Sequence, residues 1–308
     1  MIINAQLVRE LREKTGAGMM ECKKALAESA GVIDSAIEYL RKQGLQALGK
    51  KAGRIAADGL VASRLSADKK AGSLVEVNCE TDFVAKNDDF RRFAEDLAEL
   101  ALTQKQADVS ALLAVPLKGE TVADRLNRLT AKIGEKLSLR RAAIQTAVEG
   151  EKLGTYVHLG NKIGVLVKIR GNRAGENLAK DIAMHVAASH PQFLRKEDIP
   201  PEVAESEKAI YREQMKNSGK PLGGKPLGGK PPAVLEKIIE GKFAKFVGET
   251  CLNDQIFIKD PSGKKTVRQI LKEVDPSLEV VAFVRYQVGE GIEKKKDDFA
   301  AEVAKMIK

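Results

Sequence analysis

The apolar spacing of this chain changes character at Ile55, and from there one unit occurs twice: a short hairpin followed by a helix. Leu60 to Leu65 and Leu74 to Cys79 are β-rich runs separated by the polar stretch Ser66–Gly72. Phe90, Phe93, Ala94, Leu97, Leu100 and Ala101 then fall on one helical stripe, with Asn87 or Asp88 placed to cap it. The second pair of runs, Leu153 to His158 and Ile163 to Ile169, is joined by Leu159-Gly160-Asn161-Lys162 and followed by a helix from about Gly175 to Ser189. Phe93–Ala98 and Leu178–Ala183 even share a rhythm. An isolated hairpin is barely stable in water, so each pair of strands needs its helix as a cover. The spacing therefore predicts an α+β core built from two related halves.

Other segments surround that core. Residues 1 to about 50 read as three short helices, carrying Leu7, Val8 and Leu11, then Met19, Met20, Cys22 and Leu26, then Ile33, Ile37 and Leu40. Thr15-Gly16-Ala17-Gly18 and Gly31 punctuate them, and Asp34 or Ser35 is a candidate cap for the third. So small a helical unit suits recognition better than catalysis. Leu48–Arg54 reads as a polar linker, and Thr121 to about Ile133 as a further helix. Past Pro191, two charged helices, Pro201 to about Ser218 and Ala233 to about Val247, flank a connector, Gly219–Pro232, with three copies of Gly-Lys-Pro. Proline cannot continue a helix there, which predicts an antiparallel helical hairpin. Gln255–Lys259 and Leu278–Val288 read as strands, Thr266–Val274 as a short helix, and Asp297–Lys308 as a final amphipathic helix.

Chemical motifs are missing from this layout. Cys22, Cys79 and Cys251 are far apart and show no CxxC spacing, so free buried thiols are expected, with neither disulfides nor zinc. Of the three histidines, His185 and His190 are five residues apart, and no HExxH or GxSxG occurs. Each lysine of the Gly-Lys-Pro connector precedes proline, which excludes a phosphate loop. Carboxylates beside Cys79, at Glu80 and Asp82, oppose thiolate formation. Neither an enzyme nor a cofactor is indicated. No run reaches the roughly 18 apolar residues that cross a membrane. The first residues resemble neither a signal nor a transit peptide, so a bacterial cytoplasmic protein is expected. The net charge of +9 comes from 52 basic against 43 acidic residues, mostly intermixed. Local excesses occur at Lys50, Lys51 and Arg54 and at Lys294–Lys296, but the tyrosines are scattered and no nucleic-acid motif appears. Protein binding is what remains, with RNA or ribosome association as the alternative.

Asn78–Lys86 is then the segment of interest, a junction between a strand and a helix. Phe83 either packs under the helix as a core anchor or is presented to a partner; pattern alone favours the anchor.

Two long motifs carry a resemblance. Leu11–Leu26 (LREKTGAGMMECKKAL) and Glu76–Lys86 (EVNCETDFVAK) resemble the two signatures of the bacterial elongation factor Ts family. Lys132–Glu135, Ile182–Ala188 and Val288–Glu293 extend the likeness over essentially the whole chain. The resemblance implies a non-enzymatic guanine-nucleotide exchange factor for elongation factor Tu, in its GDP-bound and nucleotide-free states, with no direct nucleotide binding and no cofactor. It implies a UBA-like head (1–54), core subdomains at 55–148 and at 149–192 with 248–288, a coiled-coil hairpin (193–247) and a C-terminal module (289–308). By the family's pattern Thr81, Asp82, Phe83 and Val84 would dislodge the partner's magnesium, with Phe83 as a wedge. Leu11, Met19, Met20 and Lys23 would contact the nucleotide domain, together with the C-terminal helix, and Ile133, Gly134 and His158 another domain. Two features depart from the family: the connector at 220–232 is longer than usual, and the chain is more basic than many translation factors.

Overall fold

The computed structural model describes residues 3–15, 17–51, 53–171, 176–217 and 232–293. Three helices come first: α1 (Ala5–Thr15), α2 (Met19–Glu28) and α3 (Ile33–Lys51). Val8, Leu11, Cys22, Ala25, Leu26 and Ala36 are buried together, because spacings of three and four residues put one face of each helix inward. Ala30 and Gly31 take φ of 50° and 81°, and the Gly31 N–H reaches back to the Leu26 carbonyl at 2.8 Å. That closure satisfies a terminal carbonyl of α2 and stops it. Two expectations are corrected. α3 begins at Ile33, so Asp34 lies in its first turn and neither Asp34 nor Ser35 precedes it. It also runs to Lys51, which makes Leu48–Lys51 helix and not linker; Leu45, Gln46, Ala47 and Leu48 all favour a helix.

Next come β1 (Asp58–Leu65), β2 (Ala71–Cys79), α4 (Asp82–Ala85), α5 (Asp88–Gln104) and α6 (Val109–Ala114). The two-residue strands β3 (Pro116–Leu117) and β4 (Glu120–Thr121), α7 (Val122–Ile133) and β5 (Ser138–Thr146) complete the first unit. β1, β2 and β5 form an antiparallel sheet in that order, with Leu60 opposite Val77 and Leu74 opposite Ala143. Side chains alternate across β2. Val75, Val77 and Cys79 join Phe90, Phe93 and Leu97 of α5, while Leu74 joins Val61 and Leu166 between the two sheets.

β6 (Glu151–Val157), β7 (Ile163–Arg170) and β8 (Glu279–Gln287) form the second antiparallel sheet. α8 (Glu176–Ser189) and α11 (Val267–Val274) cover it through Ile182, Val186, Val267 and Leu271. Thr266 accepts from the Gln269 N–H while the Gln269 side chain accepts from the Thr266 N–H, a capping box that starts α11. The sheets face each other closely: a Cβ on Gly164 would come within 2.4 Å of Val61. The result is a mixed α+β molecule with helices outside two stacked sheets.

Each sheet has a third strand in addition to its hairpin. Leu278–Val288 is realised as β8, but β5 was not expected, since Arg140 and Arg141 break its apolar alternation. Both guanidiniums reach the fully buried Glu76 carboxylate, at 3.0 and 2.5 Å, and the Gly289 N–H donates to it at 2.9 Å. Gln255–Lys259 is corrected in the other direction: it is not a strand, and only an isolated bridge joins Ile256 to Thr266. Between the two parts of the second unit, α9 (Pro201–Asn217) and α10 (Pro232–Thr250) lie antiparallel, with Lys208 2.8 Å from Glu240 and Arg212 3.7 Å from Glu236. Most of the Gly-Lys-Pro connector, Lys294–Lys296 and the expected helix Asp297–Lys308 lie outside the described residues. Among the described residues, no helix is long and apolar enough to cross a membrane.

Candidate partner-binding site

The chain between β2 and α5 is fixed at both ends. Cys79 is fully buried, and its thiol donates to the Thr81 carbonyl at 3.0 Å. Asn87 caps α5 by accepting from the Asp89 and Phe90 N–H groups at 2.9 and 3.2 Å. Between these anchors residues 82–85 make the single helical turn α4. Ala85 is buried and Val84 packs on the first core, whereas Phe83 points outward with 80% of its surface exposed. Asp82 pairs with Lys86 at 2.7 Å, and the Lys86 Nζ lies 5.8 Å from the Phe83 ring centroid. The bond from Lys86, aided by its charge, holds the Asp82 carboxyl below the usual carboxylate range despite some opposing desolvation. The core-anchor reading of Phe83 is thereby overturned. Burying a phenylalanine is worth about 1.5–3 kcal/mol, and folding of this chain leaves most of that unrealised.

Other expected contact residues cluster at the same end. Gly134 closes α7 with φ 89°, a conformation that glycine adopts without strain, and an added Cβ would meet nothing within 4 Å. Ile133 beside it is half-buried. Glu135, the next residue, accepts hydrogen bonds from the Glu80 N–H, the Thr81 N–H and the Thr81 hydroxyl. The structure therefore brings Thr81–Val84 and Ile133–Gly134 together. His158 stands exposed where β6 ends, its Nδ1 2.9 Å from the Tyr156 hydroxyl. Its turn is tied to β1 by Lys162, which bonds Asp58 and the Gly59 carbonyl; Asp58 pairs with Cys79, where the tip begins. Leu159, next to His158, is 89% exposed. Sequence reasoning passed over it as part of a turn, although a leucine at a Gly-Asn turn was the available signal.

On the helical head, Met19 and Met20 are 60% and 75% exposed, and Lys23 is exposed on the same helix. Leu11 needs correction. It is fully buried with Cys22, Ala25 and Leu26, so its side chain supports the head from inside and offers no contact surface. Head and tip meet through Arg54, 3.4 Å from Glu80, and through Lys136, whose Nζ donates to the Arg54 carbonyl at 2.9 Å.

The thiol of Cys79 is pushed up to about 12, first by burial and then by the Asp58 and Glu135 carboxylates. The expected direction holds, but its causes are not Glu80 and Asp82. His185 is buried against Gln255 at 3.0 Å and serves the second core. Among the described residues no group of His, Cys, Asp or Glu is arranged to hold a metal ion.

An ordered scaffold presents an exposed phenylalanine on α4, two exposed methionines on α2 and an exposed leucine at the β6–β7 turn, a layout that suits the class of protein-docking scaffolds. Comparison with known proteins makes that class specific. Residues 80–290 match the family described as Elongation factor TS. Elongation factor Ts of Alkalilimnicola ehrlichii is 48% identical over 303 residues, covering 98% of each chain. That of Aeromonas hydrophila is 48% identical over 306 residues, covering 99% of this chain and 97% of its own, and that of Yersinia pestis is equally identical. The chain belongs to the elongation factor Ts family.

Proposed function

We propose that the chain is a guanine-nucleotide exchange factor for the translational GTPase elongation factor Tu, acting in the bacterial cytoplasm without chemistry of its own. The observation that carries the reading is Phe83, exposed at the end of a tip whose base is anchored and hydrogen-bonded. In this reading the Thr81–Val84 tip enters the GTPase beside its bound magnesium. Phe83 wedges between elements of the partner, and Asp82 makes polar contacts there. Magnesium neutralises the phosphates, so disturbing its site removes much of the nucleotide's affinity. Met19, Met20 and Lys23 extend the footprint over the nucleotide domain, and Ile133, Gly134 and His158, with Leu159, reach another domain. Residues 1–54 serve as a UBA-like head, 193–247 as a coiled-coil projection and 289–308 as a C-terminal module.

Linkage sets the terms of exchange. Whatever factor the protein takes from nucleotide affinity, bound nucleotide takes from the protein's affinity. The factor must therefore bind GDP-loaded and nucleotide-free partner with different strengths and still dissociate. Release of labelled GDP from elongation factor Tu, with and without the protein, tests the reading. The unmodified chain is expected to accelerate release. Phe83→Ala should lower that rate on the order of 100-fold, the loss typical of an aromatic hot spot. An unmodified chain that leaves the release rate unchanged would overturn the proposal.

A further inference from the structure

The base of the tip is held by an exchange of carboxylates between two loops distant in sequence. Glu135 Oε2 accepts from the Glu80 N–H at 3.1 Å and from the Thr81 N–H at 3.0 Å, and its Oε1 accepts from the Thr81 hydroxyl at 2.6 Å. Glu80 returns the arrangement: its Oε1 accepts from the Lys136 N–H at 2.6 Å. Each side chain thus satisfies backbone donors of the other loop. A carboxylate has acceptor sites for several such bonds, and bonds to a charged acceptor are roughly twice as strong as neutral ones.

The clasp sits where the tip needs it. α4 is one turn long, and a single turn cannot hold itself, because its first bond orders several residues at once. Val84 and Ala85 anchor the far side of the turn in the first core. On the near side the Cys79 thiol takes the Thr81 carbonyl, while Glu135 takes the Thr81 N–H and hydroxyl. Glu135 also follows directly on Ile133 and Gly134, so the same residue fixes the distance between the tip and that turn.

We infer that Glu135 is a positioning residue for exchange: it pre-orders the Asp82–Phe83 tip and locks it in register with the Ile133–Gly134 turn. It touches neither nucleotide nor magnesium and acts through Phe83. A tip ordered before binding avoids the cost of ordering it on the partner. The inference rests on the exchange function proposed above, and two independent readouts separate their failures.

The first readout is amide hydrogen exchange of the free protein. Glu135→Ala is expected to lose protection at Glu80 and Thr81 while residues 90–101 of α5 keep theirs. The second is GDP release from elongation factor Tu. Glu135→Ala should lower the maximal rate about ten-fold or more. Glu135→Gln should recover much of that rate, since a carboxamide oxygen still accepts both backbone N–H groups while its NH2 donates to the turned Thr81 hydroxyl. In a Phe83→Ala background, Glu135→Ala should add less than about two-fold, the non-additivity of residues acting as a unit. Unchanged protection at Glu80 and Thr81 would overturn the inference, and so would a full additional loss in the Phe83→Ala background. If the unmodified chain fails to release GDP, the function falls, and amide protection still decides the clasp.

Discussion

In the first sheet unit the link from β2 to α5 is an ordered surface tip, whereas in the second the most exposed large apolar residue, among those described, sits on the hairpin turn itself, at Leu159 between β6 and β7. The two units otherwise follow one plan: a hairpin, a covering helix, and a third strand that returns after intervening helices, β5 in one and β8 in the other. Both cores are built of buried apolar side chains. Leu97 of α5 and Ile182 of α8 occupy matching places in the shared rhythm, and both are fully buried. What differs is where each unit lets an apolar side chain out and how that exit is held. Glu135 clasps the first exit, and Lys162 ties the second to β1. Under the proposed function, the contrast assigns stability and docking to separate residues of the same scaffold, the repeated core for one and the unrepeated turns for the other.

The largest expected effects test the shared plan. Leu97→Ala and Ile182→Ala should each cost about 2–5 kcal/mol in denaturant unfolding, the usual loss for a large side chain deleted from a packed core. A cost under about 1 kcal/mol at either site would break the likeness of the two cores. Next in size is the separation of the tip from stability. Phe83→Ala should change unfolding by less than about 0.5 kcal/mol, because so exposed a ring makes few contacts in the free protein, although the same change should slow GDP release on the order of 100-fold. A comparable loss of stability would mean that the tip belongs to the core after all. Smaller again is the second exit. Leu159→Ala should weaken exchange by roughly ten-fold, the lower end of what one leucine buried at a partner is worth, with unfolding unchanged. An effect matching that of Phe83→Ala would erase the asymmetry.

Much of this plan was legible in the chain. Both hairpins, α5 and α7 follow from apolar spacing, the paired helices α9 and α10 from two charged runs flanking a proline-rich connector, and Asn87 stands as a cap where a polar residue precedes a stripe. β5 was not legible because Arg140 and Arg141 interrupt its alternation, and the Glu76 that accounts for them lies on another strand. The extension of α3 was hidden by reading Gly49 and Lys50 as a linker, when the helix-favouring run Leu45-Gln46-Ala47-Leu48 outweighs one glycine. Of the candidate site, the segment was legible from pattern, but its orientation was implied by the family resemblance alone. An apolar residue after a strand packs inward by default, and Phe83 is exposed because α4 turns Val84 and Ala85 inward in its place. The Glu135 clasp left no local trace, since a carboxylate that serves the backbone of a distant loop looks like any surface acid.

Acid sharpens the comparison, because both units bury a paired carboxylate, Glu76 in the first and Glu151 in the second, but only the second buries a histidine. In the second unit His185 Nδ1 accepts from the Ile258 N–H at 3.2 Å, so the neutral ring carries its proton on Nε2 and donates to Gln255. Burial lowers its pKa below the ordinary 6.5, and the Gln255 bond only partly opposes this. The unfolded chain therefore takes up this proton first. The contribution of His185 to stability is complete above about pH 6.5 and declines as pH falls toward the folded value. In the first unit burial alone would raise Glu76, but the Gly289 N–H, Arg140 and Arg141 more than offset it and hold the carboxyl below 4.5. Its contribution stays intact until the pH drops below about 4.5. Melting temperature should thus begin to fall between pH 7 and 5, and His185→Gln, which keeps a polar partner for Gln255, should flatten that slope while leaving the steeper loss below pH 4.5. A flat profile for the unmodified chain between pH 7 and 5, or an unchanged slope in His185→Gln, would show that the second core does not carry this acid sensitivity.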